Sequence, residues 1–301
     1  MRQTAVAQTA VTARKAGRSG TLRRLLRGKL GLAGSLIVVS VVVMALFAPW
    51  LAPYDPAALN PVERLKPPFW MNNSLEGHWL GTDNLGRDIL SRIIYGARVS
   101  LIVGVGAVLV SGIIGTLLGL LAGYYGRWID AVIMRTADAF YAIPSLLLML
   151  VMLAVVGPGL ATLILVIGLT GWVSYARVVR GEVLSIKERD YVRAARAVGA
   201  ANMRIVLRHI LPNVLPTFIV LSGMNVATTI LMEASLSFLG LGIRPPDVSW
   251  GGMLSDGKQY IATSWWVATF PGLAITITVL GVIFLGDWLR DVLDPRLKSS
   301  E

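Results

Sequence analysis

Long apolar stretches separated by short polar segments dominate the 301-residue chain. A helix needs roughly 20 apolar residues to cross the hydrocarbon core of a bilayer. Five charge-free stretches reach that length: Gly31–Ala52, Val99–Gly126, Ala139–Ala176, His209–Met232 and Gln259–Gly286. The third is about twice one span's length and is divided at Gly157-Pro158-Gly159, a strong turn signal. Its first half contains Ile143-Pro144, which predicts a kink. Because the runs are continuously apolar rather than alternating, they predict about six transmembrane helices and not a β-barrel.

The composition agrees with this all-α, polytopic class. Hydrophobic residues make up 55% of the chain, charged residues 15%, and the mean hydropathy is +0.67. Soluble domains contain about 25% charged residues, so an ordinary soluble fold is excluded. The absence of cysteine excludes disulfides, thiolate metal sites and cysteine nucleophiles.

The net charge of +11 is unevenly distributed. Residues 1–30 contain eight Lys and Arg residues and no acid, and residues 177–208 contain eight more basic residues. With the N-terminus inside, these two segments, an inner loop at residues 123–137 and the C-terminal residues 287–301 together hold 21 of the 28 basic residues. Since Lys and Arg near span ends favour the cytoplasmic side, both termini are predicted to lie inside. The same distribution argues against nucleic acid as a partner.

The chain is predicted to contain four regions. Residues 1–30 form a basic cytoplasmic segment, whose leucine stripe predicts a short interfacial helix (Leu22, Leu25, Leu26 and Leu30). Residues 31–97 comprise a first span, too long for the apolar core of a signal peptide, and a long outer loop. Residues 98–290 form a five-helix core with a cytoplasmic loop at 181–212, and residues 291–301 form a cytoplasmic tail.

The outer loop ends in a segment with a different residue pattern. Residues 81–96 change to helical spacing, which predicts an amphipathic helix leading into the second span. The loop before it either shields the outer helix ends or docks a partner.

In the second span, Gly115, Gly119 and Gly123 recur every four residues. This spacing predicts close approach of another helix.

A short basic segment, Tyr191–Asn213, separates the fourth and fifth predicted spans. Its first half places small and medium side chains on one helical face: Tyr191, Ala194, Ala195 and Val198. Gly199 suits a left-handed helix end, and the small face suits a groove on another protein. A bulkier second face is expected to pack beneath the bundle: Met203, Val206, Leu207 and Ile210. A helix lying on the membrane surface is the alternative.

Polar residues interrupt the fifth predicted span. Asn225 and Glu233 are about two helical turns apart and are expected to share a face, with Met224 and Met232 as adaptable apolar neighbours. Polar residues inside a membrane are functional candidates, so these four are predicted to line a translocation path. Hydrogen bonding between helices, or a site at the outer interface, is the alternative.

Several motifs together resemble one family. Ala194-Ala195-x-x-x-Gly199, followed by Leu211-Pro212, looks like the EAA loop of bacterial binding-protein-dependent ABC importer permeases. Residues 78–92 (HWLGTDNLGRDILSR), 235–242 (SLSFLGLG) and 293–295 (LDP) resemble the dipeptide/oligopeptide/nickel branch, specifically its "C" subunit with an extra N-terminal span. The family's glutamate is replaced by Arg193, so that residue's contacts are not implied here.

The resemblance implies a type I ABC importer permease fold in the bacterial cytoplasmic membrane. It implies a homologous permease subunit, two ABC ATPase subunits, a solute-binding protein and membrane lipid as partners. The residues implied in coupling to the ATPase are Tyr191, Ala194, Ala195, Val198, Gly199, Ala200, Leu211 and Pro212. In the outer motif, Asp83, Arg87 and Asp88 are candidates for docking the binding protein.

The chain's own chemistry points away from an enzyme. It has no phosphate-binding loop, so ATP is expected to bind another subunit, and no cofactor is expected. Its two histidines, His78 and His209, are predicted on opposite sides of the membrane and cannot form a metal site together. An ion-coupled secondary transporter and a non-transporting scaffold are the alternative functions. The sequence leaves open dipeptides, longer peptides, glutathione or nickel chelates as substrate.

Overall fold

The computed structural model describes residues 29–293, in which helices account for every long apolar stretch and no β-strand occurs. The leucine stripe at residues 22–26 and nearly all of the predicted tail lie outside these residues. The α-helices are α1 (Lys29–Leu46), α2 (Ala48–Leu51), α3 (Ile89–Tyr125), α4 (Arg127–Ala142), α5 (Ser145–Val156), α6 (Leu160–Ile186), α7 (Asp190–Ala197), α8 (Asn202–Phe238), α9 (Trp250–Gly257) and α10 (Trp266–Leu293).

Five of these helices are long and apolar enough to cross a membrane: α1, α3, α6, α8 and α10. The pair α4 and α5 forms a sixth candidate span that is bent by 90° at Ile143-Pro144. The kink predicted there is therefore confirmed as a complete break. The residues expected to form an inner loop, 123–137, are instead almost entirely helical, because α3 continues to Tyr125 and α4 begins at Arg127.

The helices α3 and α6 form the tightest contact of the bundle. Their contacts advance together along both chains: Gly106 faces Ile164, Gly115 faces Tyr175 and Gly123 faces Val183. The two helices are therefore parallel, and the α4–α5 pair must carry the chain back across the bundle between them. A Cβ at Gly119 would lie 2.7 Å from the Ala176 carbonyl oxygen. The close approach predicted from the glycine spacing is confirmed.

The remaining spans close around this pair. Gly104 of α3 faces Ile230, and Gly112 faces Phe218, so α8 runs antiparallel to α3. The first span packs on the last, where Gly34 of α1 abuts Phe284 of α10. Six crossings place the two ends of the described chain on the same side, as the charge distribution predicts.

An outer layer covers the ends of the spans. The carboxylate of Asp88 caps α3 by accepting a hydrogen bond from the Ser91 amide at 2.7 Å, so the helix predicted before the second span is the first part of α3 itself. In α9, the fully buried Trp250 donates from Nε1 to the Ile93 carbonyl oxygen at 2.9 Å. The outer segments are thereby tied to the first turns of α3.

Candidate functional site

The connecting segment (residues 187–212) leaves α6, forms α7 and returns into α8. Asp190 lies in the first turn of α7 and Arg196 in the last, which is the charge order that the helix dipole favours. After the helix, Gly199 adopts φ +84°, and the Ala200 amide donates to the Ala195 carbonyl at 3.1 Å. This hydrogen bond closes a Schellman turn. The left-handed conformation predicted at Gly199 is confirmed.

The inward face of the connecting segment belongs to an apolar cluster shared with the inner ends of the spans. Its buried members include Val179, Val183, Ile186, Val192, Ile205, Ile210 and Val214. Three of the predicted coupling residues, Ala195, Ala200 and Leu211, are half-buried and pack against this cluster. These three side chains support the segment from inside. The face predicted to bind a partner is therefore reduced to Tyr191, Ala194 and Val198, because Ala195 is turned inward.

The outward face is apolar and uncovered. Val198 at the turn is 89% exposed, and Tyr191, Ala194, Gly199 and Pro212 are also exposed. Since Val192 anchors the inward face of α7, this outward surface points away from the bundle.

The second predicted face also consists of some buried and some exposed side chains. Met203 and Leu207 are 63% and 53% exposed, whereas Ile210 is fully buried and Val206 half-buried. The expectation that all four pack beneath the bundle is therefore wrong. A π-helical turn spans Val206–Ile210, and the extra residue in that turn rotates successive side chains away from ordinary helical spacing.

The same segment carries five exposed arginines: Arg189, Arg193, Arg196, Arg204 and Arg208. Arg193 donates to Glu188 Oε2 at 2.7 Å. This hydrogen bond lowers the pKa of the Glu188 carboxyl and raises the pKa of Arg193 relative to their ordinary values. The Arg196 guanidinium lies 5.7 Å from the centre of the Tyr124 ring. The segment therefore combines an exposed apolar turn with exposed cationic side chains.

The outer-face candidates are engaged within the chain. Asp83, Arg87 and Asp88 are 3%, 8% and 2% exposed. Arg87 donates from Nε to Asp83 at 2.7 Å and from Nη2 to Asp256 at 3.1 Å. His78 Nδ1 lies 2.9 Å from Asp88 Oδ1. A partner cannot reach these side chains directly in this conformation, so the prediction that they contact the binding protein is wrong here. They hold the outer loop against α3 and α9.

The structure separates the four path candidates in the fifth span. Glu233 is fully buried and accepts hydrogen bonds from Ser237 at 2.7 Å and from Ser100 of α3 at 3.3 Å. Asn225 is half-buried and Met224 is 40% exposed, whereas the half-buried Met232 packs against a core cluster. The shared face expected for Asn225 and Glu233 is not observed, because eight residues at about 100° each leave a rotation of about 80°.

Several polar contacts join helices that are distant in sequence. Arg180 pairs with Asp130, Arg177 donates to Asp138 at 2.7 Å, and Thr217 donates to Glu182. Arg177, the partner of Asp138, lies at the start of the basic residues 177–208. Charged residues near the ends of the apolar stretches signal such contacts, but the sequence does not identify the partners.

A further polar contact lies in the middle of the bundle. Tyr175 of α6 donates to Ser222 Oγ of α8 at 3.2 Å, and the Asn225 side chain lies near the Tyr175 hydroxyl. Asn225 therefore belongs to a polar group between α6 and α8, which agrees with the alternative of hydrogen bonding between helices.

Five spans with a sixth broken one, and a rigid turn beneath them, define a multi-pass transport permease of the type I importer fold. An inward-facing structure of the MetNI methionine ABC transporter shares this fold, with a TM-score of 0.54 and 23% identity over 68% of this chain and 97% of that chain. A second crystal form of that transporter has a TM-score of 0.52.

The chain belongs to the family of inner membrane components of binding-protein-dependent transport systems, whose model matches residues 115–299. A second model, the N-terminal transmembrane domain of oligopeptide transport permease C, matches residues 19–68. Family membership and the apolar helices together make it a multi-pass protein of the bacterial inner membrane.

Curated relatives match along nearly their whole length. The dipeptide transport system permease protein DppC of Alkalihalophilus pseudofirmus is 46% identical over 92% of this chain and 89% of its own. The di/tripeptide permease DppC of Pseudomonas aeruginosa is 44% identical over 91% and 90%. The glutathione permease GsiD of Pectobacterium atrosepticum is 43% identical over 92% and 90%.

Proposed function

We propose that this chain is one permease subunit of an ATP-driven importer of dipeptides or oligopeptides, supplied by a solute-binding protein. Its membership in the binding-protein-dependent family supports the transport class. The dipeptide and di/tripeptide permeases among its relatives support a peptide substrate. A homologous permease subunit completes the translocation pathway, and two ABC ATPase subunits supply the energy.

The observation that carries this proposal is the uncovered apolar tip of the connecting segment. Val198 is 89% exposed on a turn whose shape depends on the left-handed Gly199. A large apolar side chain held out from a membrane bundle on a rigid turn favours a cleft on a soluble partner. The ATPase subunit is the partner we assign to it, with the exposed residues Tyr191, Ala194, Val198, Gly199 and Pro212 at or beside the contact.

The inward face of the same segment provides the mechanical link. Val192 of α7 shares one apolar cluster with Val183 of α6, Val214 of α8 and Leu120 of α3. Tightly packed clusters transmit displacement because they are nearly incompressible. When ATP binding moves the ATPase subunits, the tip and the inner ends of three spans move together. ATP then shifts the access equilibrium through contacts that differ between the two states.

The transport path is assigned more narrowly than the sequence suggested. Met224 is 40% exposed and its neighbour Asn225 is half-buried, and we propose that both contribute to the path. Glu233 and Met232 act one layer behind it, where Glu233 ties α8 to α3. On the outer side, Asp83, Arg87 and Asp88 support the loop surface that meets the binding protein.

The test is reconstitution of the complete transporter, isolated through a tag on this chain, into proteoliposomes. We expect a second permease and ATPase subunits to copurify, and labelled dipeptide uptake to require both ATP inside and the binding protein outside. A chain that purifies alone and takes up peptide on a proton or sodium gradient without ATP would establish the secondary-transporter function instead.

A further inference from the structure

The connecting segment has a charge pattern that restricts what can bind it. Residues 187–212 contain six Lys and Arg residues but only two acidic residues, Glu188 and Asp190. Lys187 is satisfied internally, since its Nζ donates to the Gly123 carbonyl at 3.0 Å. The five arginines of the segment are all exposed: Arg189, Arg193, Arg196, Arg204 and Arg208.

The orientation of α7 favours a protein over lipid as the occupant. An amphipathic helix on a membrane turns its apolar face into the bilayer. Here the buried Val192 faces the bundle, whereas Val198 is exposed at the turn that ends the helix. The exposed apolar side chains therefore face away from the bundle, and the same segment carries the exposed arginines. A soluble surface with an apolar centre and carboxylates at its edge is complementary to this arrangement.

Arg193 is the arginine whose present contact can be exchanged. It is held by Glu188 at 2.7 Å, but their side chains are 61% and 60% exposed. An exposed ion pair contributes little in water, because both charges remain well solvated. A carboxylate on a partner that excludes water from Arg193 forms a stronger contact. Glu188 therefore competes with that partner for Arg193.

We propose that the ATPase cleft receiving α7 is bordered by carboxylates, and that on docking Arg193 exchanges Glu188 for one of them. This inference rests on the proposed function, since it takes the ATPase as the partner. It predicts that a carboxylate of the ATPase subunit contacts Arg193 in the docked complex. It also assigns to Glu188 the role of an internal competitor that weakens docking.

The experiment uses the complete transporter with a tag on this chain, immobilised in nanodiscs of neutral lipid. ATPase retention is measured as NaCl rises from about 0.05 M to about 0.5 M, a range over which the screening length falls severalfold. We expect Arg193→Glu to release the ATPase on the order of tenfold faster than the wild type. Arg193→Lys should stay close to the wild type, and Glu188→Gln should retain the ATPase to higher salt.

Two control variants distinguish a failure of this inference from a failure of the proposed function. Arg244→Glu reverses an exposed arginine between α8 and α9, at the opposite end of the bundle, and should leave ATPase retention unchanged. Val198→Asp places a charge at the 89% exposed tip without disturbing the core, and should release the ATPase. If the transporter carrying Val198→Asp retains its ATPase subunits, the proposed function itself fails.

The inference alone is overturned if Val198→Asp releases the ATPase while Arg193→Glu and Glu188→Gln both follow the wild-type salt profile. It is also overturned if the effect of Arg193→Glu appears only in nanodiscs containing phosphatidylglycerol, since lipid headgroups are then the anionic partner. A lysine substitution of a cleft carboxylate on the ATPase that restores retention to Arg193→Glu would identify the acidic contact.

Discussion

Arg180 of α6 holds Asp130 of α4 through two hydrogen bonds, from Nε and Nη2 to the two carboxylate oxygens. The planar guanidinium matches a carboxylate in this two-point geometry, which a lysine cannot reproduce. The backbone carbonyl of Arg180 also lies close to Gly123, where α3 approaches its end. One residue therefore fixes the beginning of the broken span against the parallel α3–α6 pair.

Arg180→Lys should lower the thermal stability of the purified transporter, because the charge remains but one hydrogen bond is lost. A loss of about 1 kcal/mol corresponds to roughly 2–4 °C in the unfolding midpoint for a chain of this size. Tryptophan fluorescence during heating measures it. Arg177→Lys is the matched control, since Arg177 makes a single exposed contact with Asp138. Equal shifts in both variants would show that the two-point geometry is unimportant.

Gly119→Val should impair assembly of the bundle. The added Cβ would lie 2.8 Å from Val179 Cβ, so α3 and α6 must separate. Overpacking of this kind costs about 1–3 kcal/mol. Size-exclusion chromatography of the tagged chain in mild detergent should show a smaller monodisperse fraction. Gly181→Ala, at a position where an added Cβ meets nothing within 4 Å, should behave as the wild type. Normal assembly of Gly119→Val would contradict the close packing of these helices.

Gly199→Leu should abolish peptide uptake and uncouple ATP hydrolysis from the binding protein. Space is available at this position, so the effect comes from φ +84°, which costs a non-glycine residue roughly 1–2 kcal/mol. Gly199→Asn is the discriminating control, because asparagine tolerates this conformation. Uptake should largely survive in Gly199→Asn. Wild-type uptake by Gly199→Leu, measured in proteoliposomes, would refute the coupling role of this turn.

Glu233→Ala should reduce assembly as well as transport, which revises the expectation for a path-lining residue. The substitution leaves the hydroxyls of Ser100 and Ser237 without their acceptor, at a cost of about 1–3 kcal/mol. Glu233→Gln keeps an acceptor oxygen and should assemble normally. Uptake kinetics of the glutamine variant then decide the role. A changed KM for peptide in a fully assembled Glu233→Gln transporter would return Glu233 to the translocation path.

Local features of the fold were predictable from the sequence because their causes act within a few residues. Continuous apolar stretches require helices in lipid, where each backbone group must be paired within its own segment. Pro144 breaks its helix through its own ring, and Gly199 permits the left-handed turn through its missing Cβ. The glycine spacing in α3 predicted a close neighbour without saying which helix it is.

The sequence alone thus determined the helical membrane class, the approximate spans, the break at Pro144 and the turn at Gly199. Only the tertiary structure decided that α3 and α6 are parallel, that Arg180 reaches Asp130, and that Glu233 is buried while Met203 is exposed. These outcomes depend on how helices are rotated and aligned along their axes. A rotation of about 80°, less than one residue's step, separates a buried position from an exposed one, and no local pattern specifies it.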